Sequence, residues 1–225
     1  MEKLWLEVVK KIGYKDDPGV DILSVLLDHD IQPEFPEEVM TEVRNIPQTV
    51  QEEEKKNRRD LTNVVTVTID GDSSKDFDDA VSVCRTDNGY NLKVSIADVS
   101  HYVKEGSALD TEALKRSFST YVTDRVVPML PHELSNGICS LNPHVERLAL
   151  TCDMNVDLDG NIVDYEVYPS VIRSTERMTY NNVNKILNGN QRVQKEYEHL
   201  GDLFFVLRDC ADAIRKQRIH KGAIE

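Results

Sequence analysis

Val64-Val-Thr-Val-Thr-Ile-Asp-Gly-Asp-Ser-Ser-Lys-Asp-Phe-Asp-Asp-Ala-Val-Ser-Val83 joins two β-branched runs through an acidic turn. The run from Val64 to Ile69 predicts a buried strand that delivers Asp70 at its C-terminal end, and Gly71 to Lys75 then forms a polar turn. Asp76 and Asp78 are two apart and share a face if the chain is extended there. Asp79 points elsewhere unless the backbone kinks before the strand resumes at Ala80, so irregular backbone is expected at Phe77 to Asp79.

Asp70, Asp76, Asp78 and Asp79 fall within ten residues. Two unit charges about 4 Å apart repel by roughly 1 kcal/mol in water and about 4 kcal/mol at an effective dielectric near 20. A fold that gathers such groups either protonates them or holds a cation among them. Hard carboxylate oxygens suit Mg²⁺, Mn²⁺ or Ca²⁺, and Mg²⁺ typically binds through a few carboxylates together with waters and substrate phosphates. The plainer reading is a solvated acidic turn; the apolar strands on either side and a chain long enough to enclose a pocket weigh against it. An EF-hand does not fit, because a loop begun at Asp70 has Gly71 second and Val81 twelfth, where that site needs Gly sixth and Glu twelfth.

The 225 residues, 40% hydrophobic and 30% charged, suffice for one main domain with an N-terminal extension. No apolar run reaches the roughly 18 residues of a membrane span, and Met1 to Lys10 lacks a signal peptide's apolar segment, so neither membrane insertion nor export is expected. Cys84, Cys139, Cys152 and Cys210 are scattered without a Cys-x-x-Cys pair, as in a reduced, cytoplasmic protein. A net charge of −13 opposes nucleic-acid binding in general. Lys115, Arg116, Arg125, Arg147, Arg173 and Arg177 are the basic groups that could offset it locally.

The stretch Thr68 to Val81 closely resembles the catalytic domain of the ribonuclease II and ribonuclease R family. So do Val94-Ser-Ile-Ala-Asp-Val-Ser-His-Tyr-Val103, Val127-Pro-Met-Leu-Pro131, Leu134-Ser-Asn-Gly-Ile-Cys-Ser-Leu-Asn-Pro143 and Arg147-Leu-Ala149, in the same order. The resemblance implies a hydrolytic, metal-dependent exoribonuclease acting on the 3′ end of single-stranded RNA and releasing nucleoside 5′-monophosphates. It places the metal-binding and catalytic acids on Asp70, Asp76, Asp78 and Asp79, with Asp78 central to turnover, and the cofactor is Mg²⁺ with Mn²⁺ as a substitute. Tyr121 matches an aromatic that holds the terminal nucleotides, and Tyr180 one near the RNA channel. Taken alone, either tyrosine suits a packing role.

The resemblance also divides the chain. Residues 1–60 correspond to a linker following a cold-shock domain, and 61–225 to the N-terminal portion of an RNB-type catalytic domain. The family's later aromatic clamp, basic motif and S1 domain have no counterpart in the chain, so an incomplete catalytic fragment with weak or no processive activity is expected. Two other classes stay open. A haloacid dehalogenase-type phosphohydrolase would use Asp70 as nucleophile and Asp72 as acid, whereas a non-catalytic RNA-binding or assembly module would need neither.

The fold expected is α+β: a mixed, largely antiparallel sheet with packed helices, and a mainly helical N-terminal extension. Strands are predicted near 64–70, 80–85 and 91–98, with a hairpin from Leu148 to Val156 and Ile162 to Tyr168 around Asp157-Leu-Asp-Gly-Asn161, continuing towards Arg173. Helices are predicted at Asp21–Asp28, Pro36–Arg44, about Asp110–Thr120, and from about Arg192 to Lys221, where Leu200, Leu203, Phe204, Leu207 and Ala211 keep helical spacing. Val8 to Ile12 reads as a residual strand, Gln51 to Asp60 as an exposed helix end or linker, and Val99 to Tyr102 as a loop carrying a structural His101.

Overall fold

The computed structural model describes residues 7, 8 and 10–224. Its elements in chain order are α1 (Val20–Asp28), α2 (Glu37–Arg44), β1 (Arg59–Leu61), β2 (Val67–Asp70), β3 (Asp79–Thr86), β4 (Gly89–Ala97), α3 (Val99–Tyr102), α4 (Ala108–Arg116), β5 (Thr120–Tyr121), β6 (Val126–Val127), β7 (Glu146–Asp157), β8 (Ile162–Arg173), β9 (Glu176–Thr179), α5 (Tyr180–Leu187), α6 (Gln191–Glu196) and α7 (Leu203–His220). They form two compact units, Met1–Arg44 with Lys104–Pro131, and Asn45–Val103 with His132–Glu225. The strand expected at Val8 to Ile12 falls partly on Val9, outside the described residues.

In the first unit α2 packs against α4 over Val39, Val43 and Leu109, and β5 pairs with β6. Ser107 caps α4 by accepting from the Asp110 N–H. The helix ends at Arg116, short of the expected Thr120, because Ser117 turns into positive φ. Arg116 is consumed by structure: it bonds Glu112 and the carbonyls of Glu34 and Pro128, and lies over the Phe35 ring.

The second unit is built on a seven-stranded sheet of order β1-β8-β7-β4-β3-β2-β9. The β3–β4, β4–β7 and β7–β8 ladders are antiparallel, while β1–β8 and β2–β9 are parallel. This is the largely antiparallel α+β architecture expected. α7 covers one sheet face, burying Leu203, Phe204, Val206 and Cys210 against Val67, Val83, Tyr90, Val156 and Met178. A smaller cluster contains Phe77, Ala80, Ala97, Leu141, Ala149 and Ile172.

Four local expectations are corrected. The helix from Arg192 is broken: α6 stops at Glu196, and a turn at Glu198–Leu200 leads to Gly201 at φ 59 before α7 begins. Gln51 to Asp60 forms a short helical turn, Glu52–Lys55, and then enters β1. Val99–Tyr102 is one turn of helix where a loop was expected. Of the residues expected to be irregular, Phe77 and Asp78 are so, but Asp79 already opens β3 and pairs with Ile96.

Candidate active site

The acids converge because three strands end together. β2 lies between β3 and β9, so Asp70, at its last position, stands beside Thr179 across the parallel ladder. Asp79 begins β3, the strand antiparallel to β2, and the chain between them carries Asp76 and Asp78 back towards Asp70. Asp70 is half-buried and its Oδ2 is buried without a hydrogen-bond partner.

Loss of water pushes the Asp70 pKa up; the charges of Asp79, Asp76 and Asp78 push the same way, and only Arg177 opposes. Asp78 keeps part of its surface in solvent, yet the protein crowded round its carboxyl, followed by Asp76 and Asp79, raises its pKa as well. The four carboxylates therefore act on one another electrostatically. Among the described residues, no three acidic, histidine or cysteine side chains are gathered closely enough to hold a metal ion between them.

The chemistry of these donors, rather than their spacing, suits a hard divalent cation. An ionised carboxylate is an acceptor only, so the buried Asp70 Oδ2 requires either a proton or a positive partner. An open group of monodentate acids suits an ion that keeps waters and shares its remaining positions with phosphate oxygens.

The irregular segment is held by residues far away in sequence. The Ser140 hydroxyl accepts from the Phe77 N–H at 3.0 Å and donates to the Lys75 carbonyl at 2.9 Å. Leu141 N–H donates to the Phe77 carbonyl and Ala97 N–H to that of Asp78, both at 2.9 Å. From β9, Arg177 Nη2 donates to the carbonyls of Gly71 (2.7 Å) and Asp72 (3.0 Å), with its guanidinium 5.5 Å from the centre of the Phe77 ring. Asn181 donates to the Asp72 carboxylate at 2.7 Å. Asp72 is thereby engaged in holding the turn, and the sheet lacks the all-parallel strand–helix alternation of a haloacid dehalogenase-type enzyme.

Tyr180, the first residue of α5, follows Thr179, which stands beside Asp70 in the ladder, and it is 60% exposed. Tyr121 belongs to the other unit, on β5, and is 70% exposed. Neither is a packing tyrosine. His101 is structural: Arg58 can only donate, so Nδ1 accepts from it and the Nε2–H faces Glu54 at 2.8 Å. Arg147 is buried too, donating through Nε to the Ser140 carbonyl. Nothing local in the sequence marks Ser140 or Asn181, because the one bonds across 63 residues and the other across 109.

Comparison with known proteins agrees with this architecture. Residues 58–225 match the model of the RNB domain. Ribonuclease R of Thermotoga maritima is 51% identical over 221 residues, 97% of this chain and 31% of the relative. Two solved structures of Mycoplasma genitalium RNase R superpose well. One, in complex with double-stranded RNA, has a TM-score of 0.87 at 35% identity, covering 95% of this chain and 38% of the other. The second, in complex with ribose-methylated single-stranded RNA, has a TM-score of 0.86 at 35% identity, covering 95% and 33%. The chain thus spans about a third of the length of these relatives, and over residues 58–225 it belongs to the RNB domain family.

Proposed function

We propose that this chain supplies the acidic, divalent-ion-binding part of a cytoplasmic, hydrolytic 3′-to-5′ exoribonuclease that takes single-stranded RNA by its 3′ end and releases nucleoside 5′-monophosphates. Asp70, Asp76, Asp78 and Asp79 would hold Mg²⁺, or Mn²⁺ in its place. When bound, such ions lower the pKa of a water and stabilise the leaving oxygen of a phosphodiester. The single observation that carries the reading is the buried, unpartnered Oδ2 of Asp70 among three further carboxylates.

The chain's own residues divide the remaining work. Asp78 is exposed, as are Asp76 and Asp79, and can reach water and phosphate together; the family resemblance singles it out among the four for turnover. Tyr180 and Tyr121 present open rings, and a base stacked on such a ring gains roughly 1 to 3 kcal/mol without regard to sequence, as an exonuclease requires. The RNA-bound M. genitalium structures support RNA as the polymer. Residues 61–225 then form the N-terminal portion of the catalytic domain, and 1–60 a linker following a cold-shock domain.

The test replaces the matching third of the T. maritima relative with this chain and follows mononucleotide release from 3′-tailed RNA in Mg²⁺. Asp78→Asn is expected to lower the rate by about a hundredfold or more, the scale on which loss of one transition-state-stabilising group is felt. Turnover at the unsubstituted rate in saturating Mg²⁺ would remove Asp78 from the chemistry.

A further inference from the structure

We propose that Ser140 is a positioning residue for divalent-ion binding: its hydroxyl is the buckle that fixes Asp76 and Asp78 relative to Asp70. The proposal rests on the reading of those acids as ion ligands and names what sets their geometry.

Between Asp70 and Asp79 the chain leaves the sheet, so its backbone polar groups lose their ladder partners and need others. The Phe77 N–H can only donate and the Lys75 carbonyl can only accept, and the Ser140 hydroxyl satisfies both at once, at 3.0 and 2.9 Å. Ser140 is fully buried. Its backbone is fixed in turn: the Ser140 carbonyl accepts from the buried Arg147 Nε at 2.9 Å and from the Asn142 N–H at 2.7 Å.

Phe77 lies between the two acids and is itself only 6% exposed. Its N–H is held by Ser140 and its carbonyl by Leu141, so the two carboxylates on either side spring from backbone pinned at one place. Alanine at position 140 strands a buried N–H and a carbonyl together, and the segment can recover partners only by shifting towards water. Such a shift moves Asp76 and Asp78 while leaving Asp70, on β2, where it is. Residues that orient metal ligands without touching the ion typically cost 10–100-fold in affinity when removed.

The experiment titrates the metal-free 225-residue chain with Mn²⁺, read by electron paramagnetic resonance, and records circular dichroism and Tm alongside. Ser140→Ala is expected to weaken Mn²⁺ binding by about tenfold or more. Ser140→Cys, close in size but poor at hydrogen bonding, should fall between it and the parent and serves if the alanine variant does not fold. Ile172→Val trims the apolar cluster that holds Phe77 and Leu141 without touching the hydroxyl, so it should lower Tm and leave Mn²⁺ affinity at the parental value. A folded Ser140→Ala or Ser140→Cys with parental affinity, or an equal loss in Ile172→Val, overturns the role of Ser140. A parent that ignores Mn²⁺ overturns the ion-ligand reading itself and the proposal with it.

Discussion

Asp70 and Asp78 make the acid centre a place where the fold works against itself. Both have pKa values raised in the folded protein, so between the ordinary carboxylate value of about 3.9 and the raised one the folded state holds more protons than the unfolded. Stability of the metal-free chain accordingly falls as pH rises through that window. Neutralising one acid relieves the strain: Asp78→Asn is expected to raise Tm in EDTA at pH 7 by about 2 °C while diminishing the extra rise that Mg²⁺ gives. Calorimetry with and without the ion measures both; a variant less stable in EDTA that keeps the full Mg²⁺ increment would refute the account. The acids themselves were legible in the sequence, because four carboxylates in ten residues admit few explanations. Their holders were not. Arg177 and Asn181 reach the turn from 106 and 109 residues away, and only the β2–β9 ladder brings them there.

Elements were legible in proportion to their length and the clarity of their turns. β3, β4, β7 and β8 each span eight residues or more and are punctuated by Asn88-Gly89 and by Asp157 to Asn161, so both hairpins could be read. β1 and β9 span three and four residues and exist only because a neighbouring strand offers an edge, which no local pattern records. The hairpin turn carries its own test. Gly160 has φ 82, and a Cβ there would lie 2.1 Å from the Ala213 carbonyl oxygen on α7. Gly189, at φ 80, has nothing within 4 Å of such a Cβ. Gly189→Ala should therefore cost about 1 to 2 kcal/mol for conformation alone, and Gly160→Ala about 2 to 4 kcal/mol because α7 must also give way. Urea unfolding ranks them, and equal losses would show that the helix yields without resistance.

At the scale of the molecule, the second unit is tied by a polar network centred on Arg58. Arg58 bonds the Asp98 carboxylate at 2.6 Å with both side chains largely buried, and it touches His101, which faces Glu54. Burial alone would raise the Asp98 pKa; hydrogen bonds from Arg58 and Ser100, with the charge of Arg58, outweigh it and hold the group below the usual range. This contribution is complete above the unfolded value of about 3.9 and disappears as pH falls through the depressed folded value. Arg58→Met leaves the largely buried carboxylate without its cation and with the Ser100 hydroxyl as its remaining side-chain donor, and should cost about 3 to 5 kcal/mol at pH 7. In the same variant the acid limb of the stability curve should flatten, since Asp98 no longer binds its proton less readily than the unfolded chain does. Denaturant titrations at pH 3 and pH 7 compare the two limbs.

Placing β2 between β3 and β9 also imposes a timetable on a growing polypeptide. Asp70 leaves the ribosome before the strand that flanks it on one side, Glu176–Thr179, has been synthesised. Translation at roughly 5–20 residues per second separates the two events by about 5 to 20 seconds. Throughout that interval the nascent acids lack the anchors that Arg177 and Asn181 supply. An acidic centre wired in this way stays unassembled until β9 has been made and folded back beside β2.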